Sequence, residues 1–109
     1  IAETKYTLSI MMSIALTEEK IKEALVNLPD WTFANDKIKR EYIFRNFVEA
    51  VGFIVEIAFV CEKSNHHPEL LNVYSRVQIE LTTHDAGNKI SEKDLDLAIL
   101  IEEIAKKRI

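Results

Sequence analysis

The sequence has little of several residue types whose abundance would mark a special class of protein. Only two glycines and two prolines occur among its 109 residues, which excludes collagen-like and proline-rich linker sequences. The single cysteine, Cys61, permits no internal disulfide and fits a reducing compartment. The longest mainly apolar run, residues 8–16, is well short of the ~20 residues of a membrane-spanning helix, and no basic segment typical of a signal peptide precedes it. We therefore expect a cytoplasmic protein with no membrane partner.

The residues that are present have the composition of one folded domain. Apolar residues make up 48% and charged residues 29% of the chain, which excludes an intrinsically disordered protein. The formal net charge is −4, so no overall positive field attracts the chain to nucleic acid. Regular patterning begins near Thr17. We therefore predict a domain over residues 16–109 and an N-terminal extension over residues 1–15, with the natural start at Met11 or Met12 and the residues before it either an extension or an artificial remnant.

Hydrophobic periodicity in the first half of the chain predicts a helix, a β-hairpin and a second helix. Thr17 is a good N-cap, and the helix after it has an apolar stripe at Ile21, Ala24, Leu25 and Leu28. Residues 31–35 and 37–44 are typical of two strands joined at Asn35-Asp36. The second helix begins after Asn46 and must end before Pro68. Its apolar residues occupy most of its circumference, which is typical of a central core helix. A second interpretation adds a contact with another subunit over the remaining apolar surface, and the two are compatible.

The second half predicts two more strands and a third helix. A short apolar run covers residues 70–73, and residues 76–83 alternate, with Val77, Ile79 and Leu81 on the core face. Ser91 caps the last helix with Asp94 in the capping-box position, and its apolar stripe comprises Leu97, Leu100, Ile101 and Ile104. The order α-β-β-α-β-β-α indicates an α+β fold, a four-stranded antiparallel sheet with helices packed on one face.

All three histidines lie within a short stretch of the second half: His66, His67 and His84. His66 lies near the end of the second helix, where the helix dipole and Glu62, four residues earlier, favour a positive charge. Alternation along the strand places His84 on the open face of the sheet. Two histidines that converge on an open pocket suit general acid–base catalysis.

Other interpretations of these residues stay open at this point. Surface histidines are often merely polar. Three imidazoles and a carboxylate could bind zinc, although the sequence contains no HExxH or CxxC spacing. Cys61 lies on an apolar helix with no evident activating base, so it is more typical of a buried structural thiol than of a nucleophile.

The spacing of these residues resembles the signature of pterin-4a-carbinolamine dehydratases. The matching positions run from Glu62 through the His66-His67-Pro68 segment to Tyr74, His84 and Asp94. The resemblance extends from about residue 16 to residue 104 and agrees with the predicted element order. It implies a hydro-lyase without cofactor or metal that dehydrates 4a-hydroxytetrahydrobiopterin to quinonoid dihydropterin and so supports tetrahydrobiopterin recycling.

The same resemblance implies a role for each site residue. His66 and His84 would be the acid–base pair, and Glu62 would tune and orient His66. The substrate-binding residues would be His67, Pro68, Thr83 and Asp85. Asp94 also stands where a capping carboxylate would, so a direct catalytic role is not expected of it. Leu70 departs from the family pattern, because many members have a tryptophan there, and this puts the pterin affinity in doubt more than the chemistry.

The resemblance also implies partners and an alternative function. Family members form homodimers and homotetramers, which agrees with the surplus apolar surface of the second helix. Some members act as dimerisation partners of a transcription factor, and related folds serve as assembly factors. A non-catalytic protein-binding or coactivator module is therefore the alternative to the enzyme, with no direct binding to nucleic acid.

Overall fold

The structure, a computed structural model, describes residues 13–109, and most of the predicted N-terminal extension, including both candidate start methionines, lies outside them. The described elements are α1 Glu18–Leu25, β1 Thr32–Ala34, β2 Lys37–Ile43, α2 Phe47–Ser64, β3 Glu69–Val73, β4 Arg76–Leu81 and α3 Glu92–Arg108. This order confirms the predicted α+β fold. Within this part of the chain, none of the helices is both long enough and apolar enough to cross a membrane.

The four strands form one antiparallel sheet in the order β1-β2-β4-β3. The β1–β2 hairpin turns at Asn35 and Asp36, which both have positive φ (54° and 59°), a conformation that these two residue types tolerate. Because β4 pairs with both β2 and β3, the second hairpin packs beside the first with β3 at an edge. The chain before α1 is held to the domain by a hydrogen bond from Leu16 N to Ile90 O, 2.8 Å.

The two faces of the sheet differ as the alternation predicts. The covered face carries fully buried side chains, among them Ile38, Val77, Ile79 and Leu81. The open face carries charged pairs, such as Lys37 Nζ with Glu69 (3.0 Å) and Glu80 (3.3 Å). The apolar face packed against the helices therefore forms the core. Its burial stabilises the fold by roughly 25 cal/mol per Å² of apolar surface removed from water.

Helix α2 has one buried and one exposed apolar face. Asn46 caps it by accepting a hydrogen bond from Glu49 N (2.9 Å). The buried face is formed by Ala50, Phe53, Ile57 and Cys61. The exposed face has a row of apolar side chains, here named the outer stripe: Val48, Val51, Val55 and Phe59, exposed by 75%, 37%, 53% and 74%. A single stripe thus does not account for the apolar residues of α2, as predicted.

Helix α3 lies antiparallel to α2, since Arg108 near its end pairs with Glu49 in the first turn of α2 (3.5 Å) and with Glu56 near the middle of α2 (2.7 Å). The predicted apolar stripe is wrong at one position. Leu97 and Ile101 are buried, but Leu100 is 39% exposed. Ala98 and Ala105 are also buried on the core face of α3.

Candidate active site

The end of α2 brings two histidines to the surface. Asn65 adopts the left-handed conformation (φ 49°) as the C-cap, and the N–H groups of Asn65 and His66 each donate to a carbonyl of the last turn at 3.1 Å. The chain leaves the helix here, and Pro68 keeps His67 out of helical conformation. The side chain of His66 is 11% exposed and that of His67 58%. The two neighbouring histidines therefore have very different environments.

The third histidine lies on a short 3-10 turn, His84–Ala86, between β4 and α3. The N–H of buried Thr83 donates to Lys89 O (2.9 Å) and closes the loop, and Gly87 with φ 75° turns the chain back. The predicted position of His84, in line with the strand, is wrong because β4 ends at Leu81. His84 is exposed, and its Nδ1 lies 3.0 Å from Asn88 Oδ1.

Beneath these loops lies a buried polar network centred on Asp94, in the first turn of α3. Its Oδ1 is 2.6 Å from Nε2 of His66, and its Oδ2 accepts hydrogen bonds from Thr83 Oγ1 (2.6 Å) and Ser91 N (2.9 Å). Thr83 Oγ1 is also 2.5 Å from Ser91 Oγ. Asp94, Ser91 and Thr83 are at most 2% exposed. A buried carboxylate is stable only when it is fully hydrogen-bonded in this way.

The capping box that the sequence predicts is present, and Asp94 does more than cap. Its Oδ2 closes the reciprocal bond with Ser91 at the start of α3. Its Oδ1 contacts His66, which is 28 positions earlier in the chain. The signature spacing indicated Asp94, but only the packing of α2 against α3 shows that this carboxylate contacts a site histidine.

One open cleft of about 260 Å³ collects most of the predicted site residues. It is lined by Asn65, His66, His67, Thr83, His84, Asp85 and Lys93. We name it the histidine cleft. All three histidines of the chain thus line the same cavity, together with Thr83 and Asp85. The Thr83 hydroxyl is already bonded to Asp94, so Thr83 forms part of the wall without offering a free hydroxyl.

Two residues that line the histidine cleft, Asn65 and Lys93, were not among the predicted site residues. The one signal for Asn65 in the sequence is its residue type, because asparagine tolerates the left-handed conformation at the end of a helix. Lys93 lies in the first turn of α3, directly before Asp94 in the signature segment. It brings a cation and hydrogen-bond donors to a cavity whose other charged group is the Asp85 carboxylate.

Glu62 is placed differently from the expectation. Its Oε1 lies 2.6 Å from Nε2 of His67, whereas His66 is bound by Asp94. The Glu62–His67 pair is exposed, with side-chain exposures of 79% and 58%, so solvent screens it. The reason is geometric: residues 66 and 67 lie beyond the helical end, where i,i+4 spacing no longer brings side chains together.

Pro68 and Leu70 do not line the histidine cleft. Leu70 lies on β3, opposite Ile79 of β4, and borders a separate depression of about 180 Å³ with Glu69, Leu71, Gln78 and Glu80. The position at which the resemblance implies an aromatic residue therefore lies outside the lining of the histidine cleft.

The remaining ionisable candidates point to no other site in the described part of the chain. No group of three or more His, Cys, Asp or Glu side chains within residues 13–109 has an arrangement that could hold a metal ion. Cys61 is buried on the inner face of α2, and burial raises the pKa of its thiol. A thiol with a raised pKa is a poor nucleophile, as expected of a structural cysteine.

Comparison with known proteins now places these features in a family. The sequence model of the family described as Pterin 4 alpha carbinolamine dehydratase matches residues 14–104. The chain belongs to this family. The match covers all four strands, α1, α2 and most of α3, within which it ends.

Individual members of the pterin-4a-carbinolamine dehydratase family are close in sequence and in fold. A protein of Prochlorococcus marinus is 49% identical over 88 residues, covering 81% of this chain and 91% of its own. One of Rhizobium rhizogenes is 51% identical over 90 residues, covering 81% and 88%. Both carry the dehydratase name only provisionally. A crystal structure from Brucella melitensis, described as a transcriptional coactivator/pterin dehydratase, superposes with a TM-score of 0.79 at 38% identity over 84% of this chain and 98% of its own.

Proposed function

We propose that this protein dehydrates a 4a-hydroxytetrahydropterin to the quinonoid dihydropterin by acid–base catalysis from His66 and His84. The observation that carries the proposal is that both imidazoles line the histidine cleft although they come from separate parts of the fold. Family membership supplies the substrate class. No cofactor is needed in the proposed step.

The chemistry requires two proton transfers. The C4a–O bond breaks as one imidazole donates a proton to the 4a-hydroxyl, which leaves as water. The other imidazole takes the proton of a ring N–H, and the electron pair of that bond forms the new C=N bond. Each positioned proton donor or acceptor contributes roughly 10²–10⁴-fold in rate.

The other residues of the histidine cleft supply binding groups. His67 and the Asp85 carboxylate offer polar partners for the pterin ring, while Lys93 and Asn65 add donors. Glu62 holds His67 through the 2.6 Å contact and acts on binding through that residue. Thr83 acts through Asp94, because its hydroxyl is bonded there. Pro68 sets the path of the chain after His67.

The test is the dehydration rate of enzymatically generated 4a-hydroxytetrahydrobiopterin with wild-type protein, His66→Ala and His84→Ala. We expect kcat to fall by about 10²–10⁴-fold in each variant while the far-UV circular dichroism stays unchanged. Lys107→Ala, an exposed change at the far end of α3, is the control and should keep wild-type activity. Full activity in both histidine variants would exclude the proposed mechanism.

A second function, protein binding, is favoured by the outer stripe of α2. Its four apolar side chains are exposed on one helix, and exposed apolar rows of this kind mark interaction surfaces. We propose that the stripe joins copies of this chain into a homodimer or homotetramer. The alternative is a complex with a different protein. If substitutions in the outer stripe abolish such a complex and substitutions of the histidines do not, the coactivator or assembly function is favoured, which the description of the Brucella relative suggests.

A further inference from the structure

The hydrogen bonds around Asp94 determine which nitrogen of His66 carries the proton. Oδ2 of Asp94 accepts from the backbone N–H of Ser91, which can only donate, and from the hydroxyl of Thr83. Oδ1 faces Nε2 of His66 at 2.6 Å. An ionised carboxylate only accepts hydrogen bonds, so Nε2 must carry a hydrogen.

From this geometry we infer that Asp94 is a positioning residue, which holds neutral His66 as the Nε2–H tautomer and leaves Nδ1 to exchange the proton with the substrate. The inference rests on the proposed function for its catalytic part only. The two ring nitrogens point in diverging directions, so Nδ1 points away from the buried carboxylate while the ring lines the histidine cleft. Within residues 13–109 no hydrogen bond engages Nδ1 of His66.

The surroundings make Asp94 well suited to this role. Its carboxylate is 0% exposed, so the bond to His66 is not screened by water. It also accepts the Thr83 hydroxyl, whose oxygen in turn accepts from Ser91 Oγ, so the whole network points its hydrogens toward Asp94. A carboxylate fixed in this way both sets the tautomer and stabilises the imidazolium that forms when Nδ1 takes up a proton.

The contacts of the other two histidines do not determine which ring nitrogen carries the proton. His84 faces the side-chain amide of Asn88, which can present either its oxygen or its NH₂ group, so either tautomer satisfies the contact. His67 faces the Glu62 carboxylate, but both side chains are exposed and water competes for each of them. Only His66 is therefore held in one tautomer by a buried anion.

The decisive variant is Asp94→Asn. The amide oxygen must stay beside Ser91 N, which can only donate, so the NH₂ group faces Nε2 of His66. Because this NH₂ group donates, Nε2 must give up its hydrogen and the proton moves to Nδ1. In the neutral ring, Nδ1 then carries the hydrogen and has no lone pair with which to accept a proton from the substrate. In a serine protease the corresponding carboxylate-to-amide change lowers kcat by about 10⁴-fold through the same tautomer error.

The experiment reads the tautomer directly, by two-bond ¹H–¹⁵N correlation spectra of ¹⁵N-labelled full-length protein, carried to the pH at which the His66 ring is neutral. His66→Gln identifies its signals. We expect a protonated Nε2 in the wild type and in the control Asp96→Asn, an exposed aspartate on the same helix, and a protonated Nδ1 in Asp94→Asn. We expect Asp94→Asn to lower kcat by about 10²–10⁴-fold with a KM within a few-fold of wild type.

The possible outcomes separate the two proposals. A protonated Nδ1 in neutral wild-type His66 overturns the inference, and this measurement stands even if Asp94→Asn does not fold. Unchanged tautomer and kcat in a folded Asp94→Asn also overturn it. The expected tautomers in a protein that never accelerates the dehydration would support the role of Asp94 in setting the tautomer and refute the proposed function instead.

Discussion

At the scale of single residues, Tyr74 occupies a backbone conformation that its side chain disfavours. It lies in the β3–β4 turn with φ 53°, and its side chain is 69% exposed. The turn is held by Asn72, whose Nδ2 donates to Tyr74 O (3.1 Å) and Arg76 O (2.8 Å). A left-handed conformation costs a residue other than glycine roughly 1–2 kcal/mol, and asparagine tolerates it best. The Asn72 side chain and the strand pairing therefore impose this strain.

We expect Tyr74→Asn to raise the free energy of unfolding by about 0.5–1 kcal/mol, because asparagine adopts the left-handed region more easily. Urea denaturation of the two proteins measures the difference. Tyr74→Phe keeps the strain and should leave the stability unchanged. A stability of Tyr74→Asn at or below the wild-type value would show that the tyrosine side chain contributes more than its backbone costs.

At the scale of elements, α2 combines three roles in one helix. Its inner face is part of the core, its C-terminal end positions His66 and His67, and its outer stripe is exposed. The stripe residues Val48, Val51, Val55 and Phe59 follow one another at three- and four-residue spacing, which is the pattern of a helix that packs against another helix. The outer stripe is thus the face of α2 that is available for packing against another helix.

We expect Phe59→Lys to lower the oligomeric state, because burying an ammonium group in an apolar contact is costly. Sedimentation velocity at micromolar concentration measures the change. The control is Val26→Lys, an equally exposed apolar residue (76%) just after α1 and outside the outer stripe. A wild-type protein that sediments as a monomer, or an oligomer unaffected by Phe59→Lys, would exclude the outer stripe as the interface.

At the scale of the whole molecule, Glu102 ties three parts of the fold together. Its Oε1 on α3 accepts from Trp31 Nε1 (3.0 Å), Arg40 Nε (3.0 Å) and Tyr42 OH (2.5 Å). Burial acts to raise the pKa of Glu102, but the hydrogen bonds from Tyr42, Arg40 and Trp31 outweigh it and lower the pKa below the ordinary value. A depressed pKa means that the ionised form stabilises the folded state.

The sign of the pH dependence follows from this depression. The stabilisation by Glu102 is complete above the pKa of an unfolded glutamate, about 4.3, and is lost as the pH falls through the lower folded pKa. We expect Glu102→Gln to lower the free energy of unfolding by about 1–3 kcal/mol at neutral pH, since it removes hydrogen bonds to a charged group. Below pH about 4 the difference from wild type should shrink.

Denaturant titrations at a series of pH values check this prediction. Glu103→Gln, an exposed neighbour on the same helix, should follow the wild-type pH dependence. A constant difference between Glu102→Gln and wild type at every pH would show that the charge of Glu102 does not contribute.

The fold was predictable because its signals are local. The N-caps at Thr17, Asn46 and Ser91 and the alternation of Val77, Ile79 and Leu81 depend on neighbours only a few positions away. The errors arose where a local pattern did not correspond to the strand end or to the packing of the helices. The alternation of β4 was extended to His84 although the strand ends at Leu81, and Leu100 was assigned to the buried stripe although it is 39% exposed.

The sequence by itself determined the element order, the family and which histidines are the site candidates. Caps, periodicity and signature spacing all depend on the order of residues along the chain. What only the tertiary structure decided is which carboxylate serves which histidine. Glu62 is near His66 in sequence yet lies against His67, while Asp94, 28 positions away from His66, binds it at 2.6 Å. The reason is physical: side-chain partners are set by distance in space, and the packing of α3 on α2 brings together positions that no local pattern links.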